Sequence, residues 1–279
     1  MGNAARPPRA KVNRDQLQCI QGLINFARRT LDEKAPGVVV PRCDLPMVSY
    51  DVTIRNARPI VDELSLDREG FTLIQHKFSC VNEQDSEMKC DRYLEGMAPF
   101  IKEYFNASWV VPRGEGAIVY SASGSPIPAV TRLGESARID CAPIASPMLA
   151  ALENQSKGIT IRSYSRLMII HSWRALLSPQ DSALALCDGA TVLDTDFVVL
   201  DYSSGAGAKY KSCFLNYNPF ERWYYFPEMT PDELILFKSY DSEENCNART
   251  AHAMFHNRRA YPNAKPHGTM QASFFVYFA

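Results

Sequence analysis

The sequence lacks the features that mark membrane, secreted and nucleic-acid-binding proteins. No apolar run approaches the roughly 18 residues that a membrane-spanning helix needs, and the N-terminal MGNAARPPRAKVNRDQ has no apolar stretch typical of a secretory signal. The 30 basic and 31 acidic residues leave a net charge of −1, so no positive excess favours nucleic acid or an anionic membrane surface. We therefore expect a cytoplasmic protein that binds a small apolar molecule, with no nucleic acid and no membrane as partners; the sequence leaves the oligomeric state open.

Familiar catalytic and metal-binding motifs are also missing. The eight cysteines form no Cys-x-x-Cys pair, which argues against a zinc ribbon or a thioredoxin-type redox site. The segment 203-SSGAGAK-209 lacks the spacing of a phosphate-binding loop, and 121-SASGSP-126 lacks the Gly-x-Ser-x-Gly pattern of a hydrolase nucleophile. Because the chain has only five histidines, the candidate chemistry is confined to few positions.

Length and composition predict one large domain. A chain of 279 residues that is 46% hydrophobic can bury a sizeable core. The polar, proline-containing residues 1–14 are expected to form a disordered tail, and residues 15–279 a single domain. Apolar residues at helical spacing predict helices over 15–34 and 86–105, and a proline near the start of 146–156 favours a third, short helix.

Short strands dominate the rest of the chain, where alternating apolar runs are broken by Gly, Pro and Asn. The predicted strands lie within 47–58, 66–76, 108–111, 116–122, 159–165, 167–173, 197–202, 209–217, 234–240 and 271–278. Strands in this number, with helices mostly at the front, indicate an α+β fold with an antiparallel core. A double-stranded β-helix of the jelly-roll or cupin-like type, with flanking N-terminal helices, closes such strands without exposed edges.

Three segments carry a resemblance to a known family. The stretches 53-TIRNARPIVDELSLDREGF-71, 222-RWYYFPEMTPDE-233 and 239-SYDS-242 resemble fungal and bacterial non-haem iron, 2-oxoglutarate-dependent hydroxylases and desaturases, of the gibberellin desaturase and cephamycin methoxylation type. The similarity runs in order through residues 48–278. It implies an iron(II) site of two histidines and one carboxylate, with room for 2-oxoglutarate and oxygen.

This chain departs from the resembling family at the positions that hold metal and co-substrate. The family's distal histidine corresponds to His252 and its carboxylate to Asp140, but its first histidine corresponds to Arg138. Its carboxylate-clamping arginine corresponds to His267, and a second arginine, on the last strand, to Ser273. Arginine has no lone pair for a metal at neutral pH, and a guanidinium beside Asp140 would pair with that carboxylate instead.

These departures favour an enzyme that works with no cofactor and no metal. The leading expectation is a cyclase or isomerase of secondary metabolism, of the pericyclase or Diels–Alderase type, acting on an apolar polyene, terpenoid or polyketide. The apolar cavity expected inside a double-stranded β-helix would accelerate this reaction by holding the substrate in a reactive conformation and by stabilising charge on a carbonyl oxygen. The predicted catalytic residues are Arg138 and His252, which polarise that oxygen, and Asp140, which orients Arg138.

Five further residues are predicted to bind substrate. His171 and Trp173 share one face of the strand 167–173 and are expected to point into the barrel, with Arg174 beside them. His267 and Ser273 occupy the positions vacated by the co-substrate arginines.

Two alternatives stay open at this stage. One is a working iron(II)/2-oxoglutarate-dependent hydroxylase or desaturase with an unusual ligand set: Asp140, His252 and His171. The other is a non-catalytic binding protein on the same fold.

Overall fold

The computed structural model describes residues 12–28, 46–77, 86–114, 117–121, 136–176, 182–203, 209–246, 249–256 and 268–279. The strands are β1 (Cys19–Ala27), β2 (Met47–Asn56), β3 (Phe71–Gln75), β4 (Trp109–Pro112), β5 (Ile118–Ser121), β6 (Arg138–Ile139), β7 (Arg166–Ala175), β8 (Ser182–Cys187), β9 (Phe197–Ser203), β10 (Lys209–Leu215), β11 (Trp223–Tyr225), β12 (Glu233–Asp241), β13 (His252–His256) and β14 (Gly268–Phe278). The described α-helices are α1 (Ser86–Tyr104) and α2 (Ser146–Ser156), and short 3₁₀ turns occur elsewhere in the chain.

Two sheets face each other. The larger has the order β1-β2-β11-β8-β13-β6-β10-β9, and the smaller β3-β12-β7-β14-β4, with β5 also paired to β14. Almost all pairings are antiparallel; β2 with β11 is a parallel exception. Two facing, mostly antiparallel sheets with few helices are the architecture of a double-stranded β-helix, so the predicted fold class is confirmed.

The smaller sheet buries both of its faces, as the apolar runs of its strands require. Its outer face carries Ile170 and Phe274, which pack in one cluster with Met97 of α1. Its inner face carries Ile169 and Phe275, which join side chains of the larger sheet in the main core. The helix predicted over 86–105 is therefore confirmed, and α1 covers the outer face of the sheet.

The helix predicted over 15–34 is wrong where the structure describes it. Residues 19–27 form β1, which pairs antiparallel with residues 47–55 of β2. Ile24 and Phe26 are fully buried at a spacing of two, whereas Leu23, on the opposite face of the strand, is 39% exposed. The apolar residues fit a helical spacing and a strand spacing equally well, and pairing with β2 decides for the strand.

The helix predicted over 146–156 is confirmed, but the strand predicted after it is not. The short helix over 146–156 is present as α2, and its Asn154 donates to the Tyr277 hydroxyl at 2.8 Å, which fixes the helix over one end of the smaller sheet. Residues 159–164 have no regular structure, so the predicted strand over 159–165 is wrong. Most of the predicted tail 1–14 lies outside the described residues. Neither described helix is long and apolar enough to cross a membrane.

Candidate active site

Two neighbouring strands of the larger sheet bring three predicted catalytic residues together. In the antiparallel pair of β6 and β13, Arg138 lies directly opposite His252, so both side chains lie on one face. Asp140 follows β6 immediately, two residues after Arg138, and so lies on the same side. The Arg138 Nε donates to Asp140 Oδ1 at 3.1 Å, which confirms the geometry of the expected ion pair.

His171 reaches the same point from the opposite sheet. It is fully buried on the inner face of β7, and its Nδ1 lies 3.7 Å from Asp140 Oδ2. Both ring nitrogens also contact serine hydroxyls: Nδ1 lies 2.7 Å from Ser273 Oγ, and Nε2 lies 2.9 Å from Ser239 Oγ. A hydroxyl can donate or accept, so the two serines satisfy either neutral tautomer of the imidazole.

His252 differs from His171 in its side-chain hydrogen bonding. It is 2% exposed, and among the described residues neither of its ring nitrogens has a hydrogen-bond partner. Its Nε2 faces Asp140 Oδ1 at 3.7 Å, beyond hydrogen-bond distance, and its ring lies 4.8 Å from that of Phe237. A buried polar group left unpaired costs about 1–3 kcal/mol, so a native protein keeps such a group for a reason.

Burial and charge give the site a neutral and an anionic part. Burial lowers the pKa of His252 to about 4 and that of His171 to about 3, although the Asp140 carboxylate opposes both shifts. Burial raises the pKa of Asp140, but the nearby imidazoles and the Arg138 guanidinium outweigh it and hold the pKa well below its usual range. At neutral pH the two imidazoles therefore keep their lone pairs and Asp140 is ionised. This is the protonation state that metal ligands need.

A metal fits these residues in part. Asp140 and His252 present a carboxylate and an unpartnered imidazole nitrogen to each other, which a shared cation would satisfy. The third ligand position of the resembling family holds Arg138, which cannot ligate. Within the described ranges, no group of three His, Cys, Asp or Glu side chains is arranged to hold a metal ion. Metal binding would therefore require His171 to replace one serine contact with the metal.

The other predicted site residues are divided by the structure. Trp173 lies on the inner face two residues from His171, buried in the core, and Ser273 contacts His171 directly. Arg174 lies on the opposite face, where it donates to the backbone carbonyls of His76 and Pro231, so the structure does not bring it to the site. His267 lies outside the described residues.

Sequence reasoning missed two residues that position His171. Phe237 is directly opposite His171 in the pairing of β12 with β7, and the two rings stack at 4.7 Å. Ser239 lies where the β12 register shifts, and its hydroxyl reaches Nε2 of His171. Alternation along β12 places both Phe237 and Ser239 on one face, but only the register between β12 and β7 sets them against His171.

Comparisons with known proteins extend this description. A profile of the family described as "Oxidoreductase/YMDC permease-like domain" matches residues 24–276. The hydroxylase/desaturase efuI of Hormonema carpetanum is 27% identical over 256 residues, covering 81% of this chain and 83% of that protein. The alpha-ketoglutarate-dependent dioxygenase tstK of Talaromyces stipitatus is 29% identical over 218 residues, covering 73% and 76%. The Fe(II)/2-oxoglutarate-dependent dioxygenase nvfI of Aspergillus novofumigatus is 24% identical over 238 residues, covering 82% and 83%.

Solved structures agree on the fold. A structure titled iron and alpha-ketoglutarate-dependent endoperoxidase NvfI superposes with a TM-score of 0.76 at 21% identity, covering 94% of this chain and 98% of that one. A second conformation of that enzyme gives a TM-score of 0.78 at 20% identity, covering 95% and 99%. At this identity the likeness supports the fold alone.

These relatives overturn one expectation drawn from the sequence. The prediction of an enzyme without metal or 2-oxoglutarate is wrong, because relatives over most of the chain are named for iron(II) and 2-oxoglutarate or alpha-ketoglutarate. The prediction gave too much weight to Arg138 and too little to the retained pair of Asp140 and His252. The chain belongs to the family described as "Oxidoreductase/YMDC permease-like domain" and is, as the resemblance indicated, a member of the fungal iron(II)/2-oxoglutarate-dependent dioxygenase-like proteins.

Proposed function

We propose that the protein is an iron(II)- and 2-oxoglutarate-dependent oxygenase that hydroxylates or desaturates a small apolar molecule of secondary metabolism in the cytoplasm. The observation that carries the proposal is His252, whose buried imidazole has two unpartnered nitrogens and faces an ionised carboxylate at 3.7 Å. A cation between His252 and Asp140 would satisfy both groups. The names of the relatives support iron(II) as that cation.

Three side chains would hold the iron: Asp140, His252 and, as the third ligand, His171. His171 faces Oδ2 of Asp140 whereas His252 faces Oδ1, and the two imidazole centroids are 6.2 Å apart. Its Nδ1 would exchange the Ser273 hydroxyl for the metal, while Ser239 keeps the contact with Nε2. A second partner on the remote nitrogen is the usual way in which proteins orient a metal-binding imidazole. Bound iron(II) supplies, with 2-oxoglutarate and oxygen, the oxidising chemistry.

Arg138 has a positioning role in this arrangement. Its bond to Asp140 Oδ1 holds the carboxylate in one orientation, and its positive charge favours the ionised form. The same charge opposes a cation beside it, so iron(II) is expected to bind more weakly than in a site with a third histidine at position 138. The first histidine of the resembling family would relieve this repulsion and add a ligand.

The inner face of the smaller sheet, which carries His171, supports an apolar substrate. It also carries Ile169, Trp173, Phe237 and Phe275, all buried and apolar. Cavities that take small apolar molecules have this lining, with a few polar groups to fix orientation. A polyene, a terpenoid or a polyketide is the class of substrate that fits.

The test is iron(II) binding by wild type and ligand variants under nitrogen, followed by succinate formation from 2-oxoglutarate when oxygen is admitted. Wild type is expected to bind one iron per chain, and Asp140→Asn, His252→Ala and His171→Ala to bind at least ~10-fold more weakly, since each ligand contributes more than the roughly 1.4 kcal/mol of one tenfold step. Arg138→His is expected to tighten binding, and to restore it in combination with His171→Ala.

Two outcomes would overturn the proposal. Wild-type protein that binds no iron(II) at millimolar metal has no metal centre at this site. Substrate conversion that proceeds without succinate would instead indicate a non-redox cyclisation or isomerisation. Arg138→Gln is the matched control, because it removes the charge without adding a ligand; it should improve binding less than Arg138→His does.

A further inference from the structure

The second α-helix, α2, is apolar on two faces. Its inner face carries Leu149 and Ala150, which are buried in the main core. Its outer face carries Met148 and Leu152, which lie four residues apart and are 54% and 43% exposed. A surface helix of a globular protein normally has one apolar stripe, which packs against the core, and polar side chains on the opposite side. The outer face of α2 therefore presents large apolar side chains to solvent where polar ones are the rule.

The apolar surface continues beyond both ends of α2. Ile144, in the 3₁₀ turn that precedes the helix, lies four residues before Met148 and is 84% exposed. After the helix, Ile159 and Ile161 are also exposed, in a segment without regular structure. Single exposed apolar residues are common on protein surfaces, whereas a larger series of them marks a contact site. We name Ile144, Met148 and Leu152 the outer α2 face.

The charges along this surface are mostly positive. Over residues 143–165 the basic side chains are Lys157, directly after α2, and Arg162, both exposed, and the acidic side chain is Glu153. Glu153 already has a cationic partner, because its Oε1 lies 3.3 Å from Arg113 Nε. The total charge of −1 therefore conceals a local positive excess next to the outer α2 face. The expectation of no membrane partner rested on the total charge, and the local charge of this surface reverses it.

A membrane that contains anionic lipids matches both properties of this surface. Its negative headgroups offer counter-charges to Lys157 and Arg162, and the acyl layer beneath them takes up the apolar side chains of the outer α2 face. A second copy of the chain would instead bring the same cations of two molecules together, and like charges oppose such a contact. The observations therefore favour a lipid surface over self-association.

We propose that the outer α2 face docks the protein reversibly on the surface of anionic membranes, without spanning them. Ile144 lies four residues after Asp140, so at most ~14 Å of chain separates the docked face from the candidate iron ligand. An apolar substrate concentrates in the lipid layer and would meet the protein close to the candidate site. The docking itself does not rest on the proposed function, because it depends on exposed residues that take no part in metal binding.

The experiment measures sedimentation of the full chain with vesicles of phosphatidylcholine, either alone or mixed with phosphatidylserine. Wild type is expected to bind the mixed vesicles more tightly, and added salt should reduce this preference because it screens surface charge. Met148→Gln combined with Leu152→Gln should weaken binding to the mixed vesicles by at least ~10-fold, because less apolar surface leaves water on docking. Arg162→Gln should weaken it by about fivefold, the effect of one cation near an anionic surface.

Leu193→Gln is the matched control, since Leu193 is also an exposed leucine but lies outside residues 143–165; it should bind like wild type. All the substituted side chains are exposed, so urea unfolding of each variant should match that of wild type.

Two outcomes would overturn the docking proposal. One is wild type that does not bind the mixed vesicles, or that binds them no better than the double variant at Met148 and Leu152 does. The other is wild type that light scattering shows to be a dimer and that the double variant converts into a monomer, which would assign the outer α2 face to a second copy of the chain. Either outcome leaves the proposed function standing, because iron(II) binding does not require docking.

Discussion

β12 contributes a residue to each of two buried polar clusters. The clusters differ in whether every buried polar group has a hydrogen-bond partner. In one, the Lys238 ammonium donates to Asp67 at 2.9 Å, to Asp241 at 2.8 Å and to the Cys246 carbonyl. Arg166 holds both oxygens of the same Asp241 carboxylate, at 2.9 and 2.6 Å. Each of the three ammonium hydrogens has an acceptor, so this cluster is closed.

The other cluster is open at one residue. His171 has a serine at each ring nitrogen, but His252, equally buried, has none. The fold thus supplies a hydrogen-bond acceptor for each N–H of the Lys238 ammonium, but no hydrogen-bond partner among the described residues for the neutral imidazole of His252. Under the proposed function, the first cluster stabilises the fold, whereas the second keeps a coordination position for iron(II).

The largest effect is expected from breaking the closed cluster. Lys238→Met keeps the length of the side chain but leaves the fully buried carboxylate of Asp241 with one cation fewer. Losing one partner of a buried ion pair costs about 3–5 kcal/mol. Urea unfolding followed by tryptophan fluorescence should show a loss of that size.

Asp67→Asn is the matched control for this prediction. The Asp67 side chain is 56% exposed, and ion pairs at exposed sites contribute less than about 1 kcal/mol. Equal losses for the two variants would mean that burial does not distinguish these pairs, and the closed cluster would lose its special status.

The second expected effect is a pH dependence of stability that arises from the buried carboxyl group of Glu221. Burial raises the pKa of Glu221 to about 8, although Trp223 Nε1 donates to one carboxyl oxygen at 3.1 Å. The other oxygen is buried and has no partner in the part of the chain that the structure describes. The folded-state pKa lies above the unfolded value, so the stabilisation is complete below the unfolded pKa and is lost as pH rises towards 8. Between about pH 6 and pH 7 the loss is about 1.4 kcal/mol.

Urea unfolding of wild type and Glu221→Gln, at both pH values and with a chelator present, isolates this effect. From pH 6 to pH 7 the unfolding free energy of wild type should fall by about 1.4 kcal/mol relative to that of Glu221→Gln. A difference that does not change with pH would show that Glu221 is ionised in the folded protein, and its unpartnered oxygen would then need another explanation.

The smallest effect on stability is expected at the open cluster. His252→Leu replaces an unsatisfied imidazole beside Phe237 with an apolar side chain of similar size. Removing an unpaired buried polar group is neutral or stabilising, so the unfolding free energy of the metal-free protein should stay within about 1 kcal/mol of wild type or rise. A loss as large as that of Lys238→Met would instead make His252 a structural residue.

The sequence predicts much of the fold because apolar runs mark strands that are buried on both faces and alternation marks strands that are buried on one. It fails at β1, where Ile20, Ile24 and Ala27 fit a helical spacing and only the pairing with β2 imposes a strand. It also fails at 159–164, whose Ile159 and Ile161 are each 38% exposed, so an alternating pattern there has no sheet to join. Local pattern cannot reveal the presence or absence of a pairing partner.

The candidate site is predictable in part for a related reason. Arg138, Asp140 and His252 follow from the family resemblance, and the inward direction of His171 follows from alternation along β7. The contacts of Phe237 and Ser239 with His171 carry no signal in any one segment, because only the register between β12 and β7 brings these residues together. The residues that a sequence hides are those that reach the site through strand pairing with distant segments.

An anomalous difference map from crystals grown under nitrogen with iron(II) would show whether Asp140 and His252 hold a metal. We expect one strong peak between these two residues, with the His171 imidazole turned away from Ser273 and towards the metal. A map without a peak at this position, from protein saturated with iron(II), would contradict the claim that the unpartnered imidazole of His252 is kept for a metal.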